Sequence, residues 1–269
     1  MMLRAADDNG PSCEIAAEGS QGKGRARRLS VPLTLIGGSA GMSGPGSGPA
    51  GPGSCGMSDE EVQDNCLTFL LAGHETTATA MAWALVLLSR HPEARARVLE
   101  EIRSALGAAR VTAKALKTMP YTQAVIKETL RLYPSAPFTM RVAKEADVLC
   151  GYPIPAGTIV TLPPIVLGHH PALWARPEEF VPERFLEPEI DAGRVDHPFK
   201  WIPFLAGSRQ CIGREFALAE AGCILVTLLH KVQIDLVPDH PFVHGAQGSI
   251  TLSVQPYLRM LVRPAAPLS

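Results

Sequence analysis

From Asp59 onward the apolar positions fall into helical periods, and the first of these is long. Between Asp59 and Arg90 they recur at three- and four-residue spacing, until His91-Pro92 forces the chain out of helix. Ser58-Asp59-Glu60-Glu61 offers an N-cap hydroxyl, first-turn acids and the glutamate of a capping box, so order is expected to begin near Ser58. Pro92 to Leu106 reads as an amphipathic helix, its charges alternating around Val98, Leu99 and Ile102. Two more helices are predicted from about Thr112 to Lys117 and from Tyr121 to Leu132, the latter stopped before Pro134. From Phe138 to Leu162 the pattern changes to short strands at Met140–Ala143, Val148-Leu149 and Thr158–Leu162, broken by Gly151, Pro153, Pro155 and Gly157. Short helical turns around 170–174 and 177–180, a helix from Gly213 to Leu229, and strand-like alternation from Gln233 to Val262 complete the chain. The order predicts a mostly α protein, helices packed with a small β-sheet.

The first 56 residues do not share this patterning. From Gly37 to Gly56, sixteen of twenty positions are Gly, Pro or Ser, which is too little apolar surface to offset the entropy of ordering; residues 1–56 are expected to be a disordered low-complexity segment. Within it, the basic patch Lys23 to Arg28 reads as a solvated tail ahead of a targeting or nucleic-acid patch, and Asp7, Asp8, Glu14 and Glu18 count against a transit peptide. Residues 57–264 are expected to form the folded region and 265–269 a tail. Over all 269 residues the composition is globular, 46% hydrophobic and 19% charged, and a net charge of −1 gives no reason to invoke nucleic acid. Six cysteines lie far apart without a C-x-x-C pair, which argues against a disulfide framework or a structural zinc site. The apolar stretches Ala78 to Leu88 and Ala221 to Leu229 are too short to span a bilayer, and no compact secretory segment opens the chain.

Ten residues add chemistry. Phe204-Leu205-Ala206-Gly207-Ser208-Arg209-Gln210-Cys211-Ile212-Gly213 fits F-x-x-G-x-R-x-C-x-G, directly before a long helix. Gly207 and Gly213 let the backbone turn tightly and approach a flat ligand. The helix N-terminus behind Cys211 presents unpaired N–H groups and a positive dipole end, which suit an anionic sulfur. Arg209 is placed where a guanidinium fork meets an anion such as a haem propionate. A cysteine ahead of a helix is most often a small buried hydrophobe. The five fixed positions together suit a thiolate holding haem iron, where it pushes electron density onto the metal.

Three motifs precede this one. Ala72-Gly73-His74-Glu75-Thr76-Thr77 lies inside the first helix, where glycine costs about 1 kcal/mol relative to alanine, so a close approach is expected at Gly73. Threonine there can bond back to a carbonyl one turn earlier; alone, the segment reads first as an exposed polar face. Glu128-Thr129-Leu130-Arg131 sets acid and base on one face by i, i+3 spacing, and Pro182-Glu183-Arg184-Phe185 follows. His74 lacks a second histidine four residues on and is not read as a ligand, nor are His169 and His170 before Pro171.

In this order the four motifs resemble those of cytochrome P450, from its oxygen-binding helix to its C-terminus. Ala72–Thr76 looks like the family's A-G-x-[DE]-T, Glu128–Arg131 like its E-x-x-R, Pro182–Phe185 like its P-E-R-F/W, and the cysteine run like its haem loop. Pro171 follows His170 without the acid of the family's H-x-D-P stretch. The resemblance covers about Met57 to Pro264 and implies a partial cytochrome P450 fold. It implies haem b, iron protoporphyrin IX with an axial thiolate, held by Cys211 with Phe204, Gly207, Arg209 and Gly213. Arg141 occupies the place of a second propionate arginine, though a strand-edge charge explains it nearly as well. Thr76 would support bound oxygen and Glu75 the proton relay. Glu128, Arg131 and Arg184 would form a buried network with no part in chemistry. The implied activity inserts one oxygen atom of dioxygen into a small organic substrate, using electrons from NADPH-cytochrome P450 reductase or ferredoxin. The implied location is the endoplasmic reticulum membrane, with a plastid as the other option. Family members run to about twice this length, so the alternative is a truncated, non-catalytic haem-binding fragment with apolar surface left exposed.

Overall fold

In the computed structural model α1 (Asp59–Arg90) opens on a reciprocal capping box, Ser58 N–H donating to Glu61 Oε2 at 2.7 Å and Glu61 N–H to Ser58 Oγ at 3.2 Å. The described residues are 56–107, 109–240, 243–244, 251–255 and 258–265, so the low-complexity segment expected over 1–56 lies outside them except Gly56, and the tail expected over 265–269 except Ala265. The chain divides into two compact units. Of the described residues, the smaller takes 56–62 together with Met140–Thr161, and the larger takes Gln63–Thr139 and those from Leu162 onward.

Three more helices build most of the larger unit's core. α2 (Pro92–Leu106) starts with proline at N1 and ends on Gly107 at φ 52. In α3 (Ala113–Leu116), Thr112 Oγ1 caps by accepting the Ala115 N–H at 3.1 Å. α4 (Pro120–Leu132) is buried on nearly every face, and Glu101 accepts its first free N–H groups, those of Tyr121 and Thr122, each at 2.7 Å.

β1 (Thr139–Val142) is hydrogen-bonded to β4 (Ile159–Leu162), and within the smaller unit β2 (Asp147–Leu149) pairs antiparallel with β3 (Tyr152–Ile154). The β2–β3 turn holds Cys150 at φ 50 and Gly151 at φ 86, the paired left-handed residues that a two-residue hairpin demands. The larger unit continues with α5 (Pro164–Gly168) and α6 (Arg214–Lys231). β5 (Val232–Leu236) pairs with β8 (Met260–Pro264), and β6 (Val243–His244) with β7 (Val254–Gln255), both antiparallel.

Ala84, Leu87 and Leu88 of α1 meet Val98 and Ile102 of α2, Val125 of α4, and Leu225 and Val226 of α6 in one core. Each of these leucines, valines and the isoleucine contributes about 1.5–3 kcal/mol by leaving water. The N-terminal half of α1 is different: Leu67, Phe69, Leu70 and Leu71 are 52–69% exposed. A mostly helical architecture with little sheet is as expected. The described strands form four two-stranded pairs. Pro153, read as a break, sits inside β3 opposite Val148, which a ribbon tolerates because one side of each strand bonds to no neighbour. α5 was not predicted either, since its Pro163-Pro164 start reads as punctuation until Pro164 is seen at N1, where its missing N–H costs nothing.

Candidate active site

Two left-handed residues turn the chain into Cys211: Leu205 at φ 59 and Gly207 at φ 75. Glycine holds that conformation freely, whereas leucine is strained in it. Cys211 N–H donates back to Phe204 O at 2.9 Å and Gln210 N–H to Gly207 O at 3.1 Å, closing the loop around the 3₁₀ turn Gly207–Arg209. α6 follows at once, with Gly213 as N-cap and no side-chain cap. Cys211 is exposed, and its neighbours Ile212 and Phe216 are 68% and 70% exposed. A Cβ added to Gly213 would stand 3.9 Å from Cys211 Sγ, so glycine keeps that flank of the sulfur clear. Arg209 and Phe204 are half-buried, Phe204 against the core.

α1 runs unbroken through the second motif. Thr76 Oγ1 donates to Ala72 O at 2.8 Å, and a Cβ on exposed Gly73 would meet nothing within 4 Å. Exposed Glu75 accepts at 2.6 Å from Oγ1 of buried Thr251. The next residue, Leu252, accepts the Trp83 indole N–H at 2.6 Å and donates to Ser135 O at 2.9 Å, while Ser135 Oγ donates to Thr76 O at 2.7 Å. Thr77 Oγ1 donates to Glu220 Oε2 at 3.1 Å, tying the segment to the helix that Cys211 precedes. Ser135, Glu220 and Thr251 were absent from the sequence reading. They lie 59 to 176 residues from their partners and carry no local motif.

Glu128, Arg131 and Arg184 come together with no side-chain exposure. Glu128 accepts from Arg131 Nε at 2.7 Å and Nη2 at 2.9 Å, from Arg184 Nε at 3.0 Å, and from Val181 N–H at 2.8 Å. Arg131 also donates to the carbonyls of Gly168, Pro177 and Glu179, and Arg184 to Asp191 Oδ1 at 2.7 Å and Ala175 O at 3.1 Å. Asp191, missed in the sequence, thus gives the cluster a second acid. Both guanidinium carbons stand over Trp174, at 5.4 and 5.7 Å from the ring centre. Arg141 lies on β1 in the smaller unit, half-buried, and donates to Met140 O at 2.7 Å. His74 is exposed, and His169 Nδ1 stands 2.9 Å from Ile165 O.

The family model for cytochrome P450 matches residues 50–260. The chain belongs to the cytochrome P450 family. It is 41% identical over 211 residues to cytochrome P450 4c3 of Drosophila melanogaster, an alignment that takes in 77% of this chain and 39% of that one. Against human cytochrome P450 4V2 it is 40% identical over 181 residues, 66% of this chain and 34% of the relative. Among solved structures, the cytochrome P450DA heme domain superposes with a TM-score of 0.72 at 33% identity, covering 78% of this chain and 46% of that one. The chain therefore spans less than half the length of these relatives, and the fold it shares with them is the mostly helical cytochrome P450 fold.

Family and fold imply haem held by a cysteine thiolate. The cysteine loop fits such a group on its own evidence. Among the described residues no cluster of three His, Cys, Asp or Glu side chains could hold a metal ion. Cys211 is exposed, its glycine flank is clear, and the apolar Ile212 and Phe216, one and five residues on, are exposed as well. No helix among the described residues is long and apolar enough to cross a membrane.

Proposed function

We propose that this chain carries the haem-ligating and oxygen-activating part of a cytochrome P450 monooxygenase that inserts one atom of dioxygen into a small organic substrate. The observation that carries the reading is the Thr77–Glu220 bond of 3.1 Å, which ties the Glu75–Thr76 segment to the helix behind exposed Cys211. Cys211 Sγ would hold the iron of haem b as a thiolate, on a loop shaped by Phe204, Gly207 and Gly213, while Arg209 meets a propionate. Haem, when bound, supplies the iron at which dioxygen is cleaved, and thiolate donation favours that cleavage.

The chain's own groups manage hydrogen bonds and protons. Thr76 has committed its hydroxyl hydrogen to Ala72 O, so its oxygen offers lone pairs and accepts a hydrogen bond. Glu75, exposed to water, collects protons at its carboxylate and passes them on, one oxygen being held by Thr251. Glu128, Arg131 and Arg184 hold the fold and stay out of the chemistry. Electrons come from NADPH-cytochrome P450 reductase or a ferredoxin. The exposure of Leu67, Phe69, Leu70 and Leu71 favours a second reading, a chain that binds haem without a closed substrate pocket.

The two readings separate in one experiment. The full chain is loaded with haem, supplied with reductase and NADPH, and exposed to isotopically labelled dioxygen with a panel of small apolar compounds. Label in product, lost in Thr76→Ala while NADPH is still consumed, supports the monooxygenase. Haem uptake with no labelled product selects the second reading, and failure to take up haem refutes both.

A further inference from the structure

We propose that Trp201 is a positioning residue for the Cys211 thiolate, clamping both arms of the cysteine loop to α4; the proposal deepens, and rests on, the reading of Cys211 as the haem ligand. On the incoming arm, the Trp201 ring meets Phe204 edge-on at 6.3 Å, and Phe204 O is the acceptor of the Cys211 N–H. On the outgoing arm, the guanidinium carbon of Arg214 stands 6.0 Å from the centre of the same ring, within cation–π reach. Arg214 N–H also reaches Cys211 O at 3.4 Å. Away from the loop, the indole Nε1–H donates to Lys127 O at 3.1 Å, one residue before Glu128. Phe185, one residue after Arg184, packs edge-on to Trp201 at 5.8 Å.

A single side chain therefore meets the loop on both sides of the cysteine and, behind it, Lys127 and Phe185, the chain neighbours of Glu128 and Arg184. The loop needs such a tie, because Leu205 at φ 59 sits in a conformation that leucine holds only when its surroundings fix it. The ring contacts alone permit rotation. The N–H bond to a helix carbonyl sets the ring's orientation, and with it the seats of Phe204 and Arg214. Cys211 is then presented in one place rather than several, which preorganises the sulfur for iron.

The test uses the full chain with Trp201→Phe, which keeps a ring and loses the donor. In the haem-free chain, hydrogen exchange at the Cys211 amide should speed up by about tenfold, the equivalent of about 1.4 kcal/mol for one net hydrogen bond, with the amides of α2 unchanged. In the haem-loaded, reduced, CO-bound chain, part of the red-shifted Soret band of thiolate ligation should give way to the unshifted band of a neutral or displaced ligand. Wild-type exchange together with a wild-type band ratio would overturn the proposal. If the wild-type chain takes up no haem, the ligand reading fails and the exchange measurement still decides whether Trp201 orders the loop. Should Trp201→Phe fail to fold, benzothienylalanine at this position removes the N–H alone, and the same two readouts apply.

Discussion

Replacing Glu128 by glutamine changes one atom and should remove a large part of the stability of the larger unit. The carboxylate accepts four N–H groups, three of them from guanidiniums, at 2.7 to 3.0 Å, and none of the three charged side chains touches water. An amide offers one acceptor oxygen, so its NH2 must face an arginine N–H, donor against donor. Arg184 keeps Asp191 at 2.7 Å, whereas Arg131 keeps only carbonyl partners at Gly168, Pro177 and Glu179. Removing one partner of a buried pair costs about 3–5 kcal/mol, against a total of about 5–15 kcal/mol for a typical domain. Urea unfolding followed by circular dichroism measures this directly, provided that the slope with denaturant is unchanged. A loss under about 1 kcal/mol would mean that the cluster is not the buried, charge-assisted network described here, since even one hydrogen bond to a charged group is worth about 1.5–3 kcal/mol.

Gly168→Ala should be at least as damaging as a typical overpacked site, about 1–3 kcal/mol or more, because its Cβ would collide with the Arg131 carbonyl oxygen; a wild-type melting curve would contradict the packing. Asp235 is held below its ordinary carboxyl value, chiefly by its hydrogen bond from Arg95. A depressed acid contributes stability above its unfolded value and loses it as pH falls through the folded one, so Asp235→Asn should flatten the acid limb of stability by about 0.2–1 kcal/mol. Burial first, and the Glu183 carboxylate second, push the Tyr121 phenol up from 10.0 to about 12. Its contribution is complete below the unfolded value and disappears as pH rises through about 12. Ultraviolet titration should show a tyrosine ionising there that is missing in Tyr121→Phe, and ionisation of that residue near its ordinary value would refute the assignment.

Local chemistry was readable in the sequence where one short segment determines the outcome. The Ser58–Glu61 box, the proline entry to α2, and the glycine-flanked approach to Cys211 each depend on residues within a turn or two. Glu128 and Arg131 share a face through their spacing alone, but Arg184 joined them only through the resemblance to a family pattern. Asp191, Thr251 and Trp201 had no such help. Their meaning comes from partners brought close by packing, as when Thr251 reaches Glu75 across 176 residues. β3 and α5 were lost because proline was read as a break, and proline breaks an element only where its N–H is needed.

The claim on which the rest depends is that Cys211 ligates haem iron as a thiolate in this chain. The most direct measurement is the CO difference spectrum of the reduced, haem-loaded chain beside its Cys211→Ala variant, with both checked for equal folding. The account predicts the red-shifted Soret band of thiolate ligation in the first and its disappearance in the second. The same band persisting without Cys211 would contradict it.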